Sequence, residues 1–448
     1  MRFSSFRFLV LAAGLAAVGP AAGGLRAAPV AMPDTLTLQD AVGFALENNY
    51  AIRQARERIK EQEGVEITVR ARQIPSVSAS GSYTGNAREI SAYAAPENDR
   101  SWAIALSARQ VLYAGGGVKA AVQGSALTRA AAVLELQGVI NTQLLAVRTQ
   151  FYTVLLARER IKVQEENVTL FAEQLKDAQS RFNAGTTSNF EVLRAEVALA
   201  NGQPPLIQAR NDYRLAIEQL RQLLGLATEP GPDVTKVPEF AGSLEAGSQV
   251  TLALADALAA ARVNRPELQQ LAKLEQAVEQ NVTVSRSGYL PEVDLVGSYS
   301  WTRGPLATGW EDRREGWTAG VQSSWNIFDG RATAGRVVQA RSQVEQAKLT
   351  LAETTLAIEV QVRQAYSSLL EAWELVQASS KTVEQAQEAL RLANVRYSAG
   401  TATQLDVLTS QVALTEARLN QLQAYYGYNV AQAAMRQAMG QADEYVSP

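Results

Sequence analysis

The chain reads RFNAGTTSNFEVL at residues 181–193 and RYSAGTATQLDVL at 396–408, 215 positions further on. A turn written twice at one fixed offset marks an internal repeat, and a repeat decides an architecture before any single motif does. Gly185 and Gly400 stand where a helix ends on a residue with positive φ. Ser188 with Glu191, and Thr403 with Asp406, have the spacing of a capping box that starts the next helix. Each copy therefore predicts a tight helical hairpin.

The likeness continues outward from these turns. TLQDAVGFALENN (37–49) echoes LALADALAAARVN (252–264), IPSVSASGSYT (74–84) echoes LPEVDLVGSYS (290–300), and VLYAGG (111–116) echoes NIFDGR (326–331). Two halves, 34–225 and 251–440, share one plan: short helix, two extended segments, long helix, turn, returning helix. The Pro- and Gly-containing stretch 226–250 reads as the linker between them, and 441–448 as a tail.

Val133, Ile140, Val147, Val154, Ile161, Val168, Leu175 and Phe182 recur seven apart, and no Gly or Pro interrupts 139–183. Val362, Leu369, Val376, Val383, Leu390 and Tyr397 repeat the register in the second half. This is a heptad seam on a helix of roughly 60 residues, about 90 Å long. A seam alone defines a rod, so function has to come from what lies at its ends. The returning helix of the first half carries Pro204 and Pro205, which predict a kink or break there.

Four extended segments lie at the other end. Val77, Ala79, Gly81 and Tyr83 alternate with Ser and Thr, as Val293, Leu295, Gly297, Tyr299 and Trp301 alternate mainly with polar residues. The partner segments 101–110 and 316–328 add Trp102, Ile104 and Leu106, then Trp317, Ala319, Val321, Trp325 and Ile327. Period two places the apolar set on one face of each strand, and the lengths suit membrane strands of about 9 to 11 residues. One such strand fits a soluble sandwich equally well. Four of them, with Tyr83 and Trp102 beside one loop and Trp301 and Trp317 beside the other, match an interfacial aromatic girdle.

Composition narrows the classes. The N-terminus places Arg2 and Arg7 before an apolar stretch from Phe8 to Val18 and a run of small residues, the form of a secretory signal over about residues 1–28. The chain has 42 Lys and Arg against 45 Asp and Glu, which gives no broad field for nucleic acid. Zero Cys and zero His leave no disulfide framework, no thiolate metal site and no ordinary general base near neutral pH. No cofactor or metal is expected, and no enzyme. No apolar run of about 18 residues follows the signal, so a membrane would have to be crossed by strands. Four strands open in lipid would leave two unpaired edges, each unpaired group costing several kcal/mol. Two chains would make an eight-stranded barrel filled by side chains, whereas three make twelve strands with a lumen, which the small Ser and Thr of the polar face leave open. The reading is α-helical plus membrane β-barrel: a homotrimer whose barrel continues into a coiled-coil tube, with the repeated turns at the far mouth.

On these residues, above all the doubled R[FY]xAGT followed by [ED]VL, the chain resembles the TolC-like outer membrane efflux proteins over essentially its whole mature length. The resemblance implies a trimeric twelve-stranded barrel in the outer membrane of a Gram-negative bacterium with a long periplasmic tunnel. Such a channel is a passive exit duct for efflux or type I secretion, partnered by a periplasmic adaptor (membrane fusion protein) and an inner-membrane pump. It further implies that the tips, Ala184, Gly185, Thr186, Ala399, Gly400 and Thr401, meet the adaptor, and that Asp406, Tyr397 and Glu191 belong to the gate. Ala402 stands where the family's closing network has an arginine, and Thr409 where it has a second aspartate. The competing class is a periplasmic coiled-coil adaptor or scaffold that never spans a membrane.

Overall fold

The computed structural model describes residues 34–85, 100–226, 238–303, 312–443 and 445. The expected signal segment, residues 86–99 and 304–311, and residues 227–237 of the linker lie outside the described residues. The first repeat opens with a two-residue strand β1 (Thr35–Leu36), then α1 (Leu38–Asn48) and α2 (Tyr50–Arg70). It continues with β2 (Ser76–Gly85), β3 (Arg100–Ala114), α3 (Gly117–Asn183) and α4 (Asn189–Leu224). After β4 (Glu239–Phe240) the order recurs as α5 (Leu254–Asn264), α6 (Pro266–Arg286), β5 (Glu292–Arg303), β6 (Arg314–Ser324), α7 (Ala332–Ser398) and α8 (Gln404–Ala438). Both long helices have 67 residues, about 100 Å each.

The opening helix of each half is a pair rather than one element, divided at Asn49 and at Arg265. In the first pair, Asn49 Oδ1 accepts from Ala51 N at 2.9 Å and caps α2, while its Nδ2 donates to Leu223 O at 2.7 Å. In the second, Arg265 Nη1 donates to Gln437 O at 3.2 Å. The corner between the paired helices thus takes hold of the end of the returning helix. Gly225 and Gly440 terminate those helices at φ 70° and 69°. A Cβ would meet Asn48 O at 2.3 Å in the first case and Asn264 C at 2.7 Å in the second. These are the places where each repeat closes on itself.

That closure sets the helix order. Near the sheet, α3 packs between α2 and α6, and α6 packs on α7; towards the tips, α3 packs between α4 and α8, and α8 on α7. The layer therefore runs α2–α3–α6–α7 above and α4–α3–α8–α7 below. Its two halves meet at a waist of two apolar cores. One gathers Leu36, Leu144, Phe151, Leu155, Leu220 and Phe240; the other Leu268, Ile358, Val362, Tyr428 and Met435. Parallel pairing of β1 with β4 brings the linker to this waist, and Arg158 clasps it by donating to the carbonyls of Phe240 and Gly242.

Three expectations need correction. The first heptad seam is buried only in its middle: Val147 and Val154 are fully buried, while Val133 and Phe182 are 40% and 43% exposed. An α-helix drifts about 20° per heptad, and α3 serves a different pair of neighbours at each end, so burial moves to Gln164, Asn167, Phe171 and Ala178. Pro204 and Pro205 do not break α4, which runs through both. The carbonyls of Ala200 and Asn201 lose their donors but belong to exposed residues, where water can bond to them, while Gly202 and Leu206 are buried and hold the helix in place. At Gly202 a Cβ would meet the Phe171 ring at 2.9 Å. Finally, one 18-residue window of α3 does match a membrane span in length and apolarity, with 22% of it buried in the single chain.

The four-stranded sheet has the order β2-β3-β5-β6, antiparallel throughout. The strand beginning at Arg314 ends at Ser324, so Trp325 and Ile327 fall outside it, and Trp325 Nε1 donates to Tyr289 O at 3.1 Å instead.

Candidate functional site: the hairpin tips and the sheet

The two tips are near-copies. Gly185 N donates to Phe182 O at 2.9 Å and Thr186 N to Arg181 O at 2.9 Å; Gly400 N donates to Tyr397 O at 3.1 Å and Thr401 N to Arg396 O at 2.8 Å. This is the Schellman pattern, with the glycines at φ 73° and 75° after Ala184 and Ala399. Thr186 and Thr401 also donate their hydroxyls to the same Arg carbonyls. All six tip residues are exposed.

The returning helices start differently. Thr403 and Asp406 form the capping box: Asp406 Oδ2 accepts from Thr403 N at 2.7 Å and from Thr403 Oγ1 at 2.8 Å. These bonds, backbone first, hold the Asp406 carboxyl below its ordinary pKa, with Arg396 adding to the effect. The expected box at Ser188 does not form. Glu191 instead pairs with Arg194 at 3.1 Å, and the Gln404 amide, oriented by its partners, donates to Glu191 Oε2 at 2.7 Å and to Glu191 O at 3.1 Å. A tertiary partner outcompetes the local one.

The tips are thereby joined side to side. Gln404 is 4% exposed, sealed between the hairpins. Next to it the Arg181 guanidinium lies 4.6 Å from the centre of the Tyr397 ring, while Arg181 Nε donates to Asp177 at 2.9 Å. Burial raises the Tyr397 phenol pKa, with Arg181 opposing and Asp177 and Glu191 reinforcing, so the ring stays neutral. Further up the same seam, Gln411 donates to Asn167 Oδ1 at 3.2 Å and accepts from Gln174. Tyr397 and Glu191 are thus brought together around Arg181 and Gln404, while Asp406 stands apart and exposed. Arg181 and Gln404 are the functional candidates that sequence reasoning passed over. The available signal for Gln404 was asymmetry: the other copy of the motif has Asn189 at that position.

At the sheet end the expected aromatics share one face. Tyr83 pairs directly with Trp102, Tyr299 with Trp317, and Ile104 with Trp301. The Tyr299 and Trp301 rings lie 4.6 Å apart. Trp317 is 75% exposed and Tyr83 61%, with no protein to cover them in the single chain. The opposite face carries Ser78, Ser80, Ser82, Ser107, Ser298 and Thr318, with Ser298 and Thr318 hydrogen-bonded at 2.8 Å. Its charge near the helical end is the pair Arg109–Asp294, at 2.6 Å.

One apolar and one polar sheet face, carried on a layer of helices that ends in paired hairpins, define a class: a membrane channel protomer with a long helical extension. The outer membrane efflux protein model matches residues 42–226 and again 257–441, and the chain belongs to that family. Protein CyaE of Bordetella pertussis is 26% identical over 408 residues, 88% of this chain and 84% of that one. Outer membrane protein TolC of Escherichia coli is 26% identical over 314 residues, 68% of this chain but only 62% of TolC. The crystal structure of CusC superposes with a TM-score of 0.77 at 16% identity, covering 90% of this chain and 92% of that one, which is a likeness of fold.

Proposed function

We propose that the protein is a passive exit duct in the outer membrane for an efflux or type I secretion system, built from three copies of this chain. One observation carries the reading: the free edges coincide. The sheet ends on β2 and β6, and the helical layer ends on α2 and α4 on the first side and on α7 on the last. Both edges of the sheet must be paired in lipid. Joining β2 of one copy to β6 of the next also brings α4 against α7. Each of these helices has uncovered apolar residues on the tip side of the waist, Leu193, Val197 and Ile207 on α4 and Leu370, Leu392 and Val395 on α7. Three copies make a twelve-stranded barrel with the Ser and Thr face inward. Detergent-extracted protein is expected to run as three chains by light scattering; a stable monomer that still resists proteolysis in the sheet would overturn the reading. An adaptor or scaffold has no use for a sheet with an exposed Trp317 and Tyr83 face.

In this reading the aromatics Tyr83, Trp102, Trp301 and Trp317 lie at the membrane interface, and the tips receive the periplasmic adaptor that links the duct to an inner-membrane pump. Asp406 lines the mouth, three carboxylates around one axis. Like charges on an axis favour cations and bind divalent ions. Asp406→Asn keeps a capping oxygen, so the trimer should melt close to wild type while planar-bilayer recordings lose cation selectivity and divalent block. Unchanged selectivity would reduce Asp406 to a cap. The depressed pKa gives a further sign: the cap's contribution is present above the unfolded-state pKa and is lost as pH falls through the folded one.

A further inference from the structure

The two β-hairpins of the sheet share one register. In the first, Ser76 pairs with Arg109 and Tyr83 with Trp102; in the second, the equivalent residues pair likewise, Glu292 with Ser324 and Tyr299 with Trp317. The match ends where the chain leaves the sheet. β3 has 15 residues and continues through Ala114, whereas β6 has 11 and stops at Ser324. A neighbour accounts for the difference: residues 110–114 pair with β5, Tyr113 against Val293 and Ala114 against Glu292, with a bulge at Leu112. Their equivalents, residues 325–329, stand on the free edge of the sheet, where Ile327 and Phe328 are each 85% exposed. Trp325 nevertheless already holds the place of a strand residue. Its Nε1 donates to Tyr289 O at 3.1 Å, and its equivalent Gln110 donates from Nε2 to Gln73 O at 3.2 Å while remaining within β3.

We infer, resting on the duct reading, that residues 325–329 are the unformed end of β6, and that they become strand on residues 76–79 of the next copy, in the register by which β3 already meets β5. Carrying each pair across the repeat places Gln322 opposite Ser82 of the next copy, Asn326 opposite Ser78 and Phe328 opposite Val77, with Ile327 as the bulge. The glycine that follows fits this seam. At Gly115 a Cβ would meet Leu290 Cβ at 2.9 Å, whereas at the equivalent Gly330 nothing lies within 4 Å. Ile74 of the next copy is equivalent to Leu290, is 62% exposed in the single chain, and fills that space. The junction inside one chain is also pinned by Arg109, which pairs with Asp294 at 2.6 Å and with Glu292 at 3.5 Å. At the seam between copies the equivalents are Ser324, Ser78 and Ser76, so no charge sets the register there. It falls to the bulge and to the fit of Gly330 against Ile74, both beyond Ser324. Since α7 begins at Ala332, the same pairing fixes how the long helix leaves the barrel.

The chain has no cysteine, so an introduced pair is the sole source of a disulfide. A disulfide needs Cα atoms within about 7 Å, and a slip of two residues moves a strand about 7 Å along its partner. The test oxidises full-length, detergent-extracted protein carrying one pair at a time; Ser78, Ser82, Gln322 and Asn326 are all exposed, so cysteine is tolerated there. Asn326→Cys with Ser78→Cys, and Gln322→Cys with Ser82→Cys, should give covalent dimers and trimers on a denaturing gel. Asn326→Cys with Ser82→Cys, which lie out of register, should give about tenfold less. Trimers that cross-link through Gln322 and Ser82 but not through Asn326 and Ser78 would overturn the added strand, and preferred cross-linking of Asn326 to Ser82 would overturn the register. Monomers by light scattering in every variant would remove the duct reading itself. A second measurement needs no disulfide: Gly330→Ala should lower the yield of trimer about tenfold by overpacking against Ile74. Gly116→Ala, at φ 79° with nothing within 4 Å, should leave that yield near wild type, as its equivalent Arg331 carries a side chain at φ 72°. Equal yields for the two would overturn the contact with Ile74.

Discussion

Gly225→Ala and Gly440→Ala should each destabilise the protein far more than Gly185→Ala or Gly400→Ala, although all four glycines have nearly the same φ, between 69° and 75°. The left-handed conformation costs an L-residue about 1–2 kcal/mol wherever it occurs. At the tips nothing lies within 4 Å of the added Cβ, so the loss should stop there. At the waist the methyl would sit 2.3 Å from Asn48 O or 2.7 Å from Asn264 C, backbone atoms that cannot swing away. Overpacking adds a further ~1–3 kcal/mol, and the corner of the helix pair must shift. We expect low yield of assembled protein and a clearly lowered melting temperature for both waist variants. Equal melting temperatures for all four would mean that the waist contacts carry no closure energy.

Gly185→Pro and Gly400→Pro should remove export while leaving the barrel assembled. Proline holds φ near −65°, opposite in sign to the 73° and 75° found here, and it deletes the N–H that each glycine donates to Phe182 O or Tyr397 O. The end of the long helix must then unwind over about a turn, and the tip loses its shape. The sheet is untouched, roughly 100 Å away along α3 or α7. Measured export or resistance should fall at least tenfold in the double variant, with trimer content by gel and light scattering unchanged. Normal export together with normal adaptor cross-linking would show that the tips are not the docking surface.

The family and the plan of the chain were legible because their signals are local. A turn glycine, a Thr with an Asp three residues on, a seven-residue apolar spacing and a two-residue alternation all act between near neighbours. Such patterns read correctly for the tips, for β2 and β5 and for the long helices, whose ends at Asn183 and Ser398 precede the doubled AGT. They misread β6, where Trp325 continues the apolar alternation but is drawn off to Tyr289.

Partner choice was decided only in three dimensions. Ser188 and Glu191 have the spacing of a capping box, yet Glu191 is claimed by Arg194 and by Gln404 from the other repeat, 213 positions away in sequence. Residues 441–448 read as a tail, and the structure puts Asp443 in a buried two-pronged ion pair with Arg148 of α3, at 2.6 and 2.7 Å, with Tyr445 over the guanidinium. Pro204 and Pro205 read as a kink or break, and α4 runs through both without a break, with Gly202 and Leu206 buried and the freed carbonyls on exposed residues. By itself the sequence determined the tip turns, the two long helices and the strand segments of the sheet, and that they occur twice, since those depend on backbone geometry within a few residues. The tertiary structure alone decided the lateral order of the helices, the closure at Gly225 and Gly440, and the joining of the hairpins through Gln404, Tyr397 and Arg181. These follow from which surfaces can be buried together, a property of no single stretch of chain.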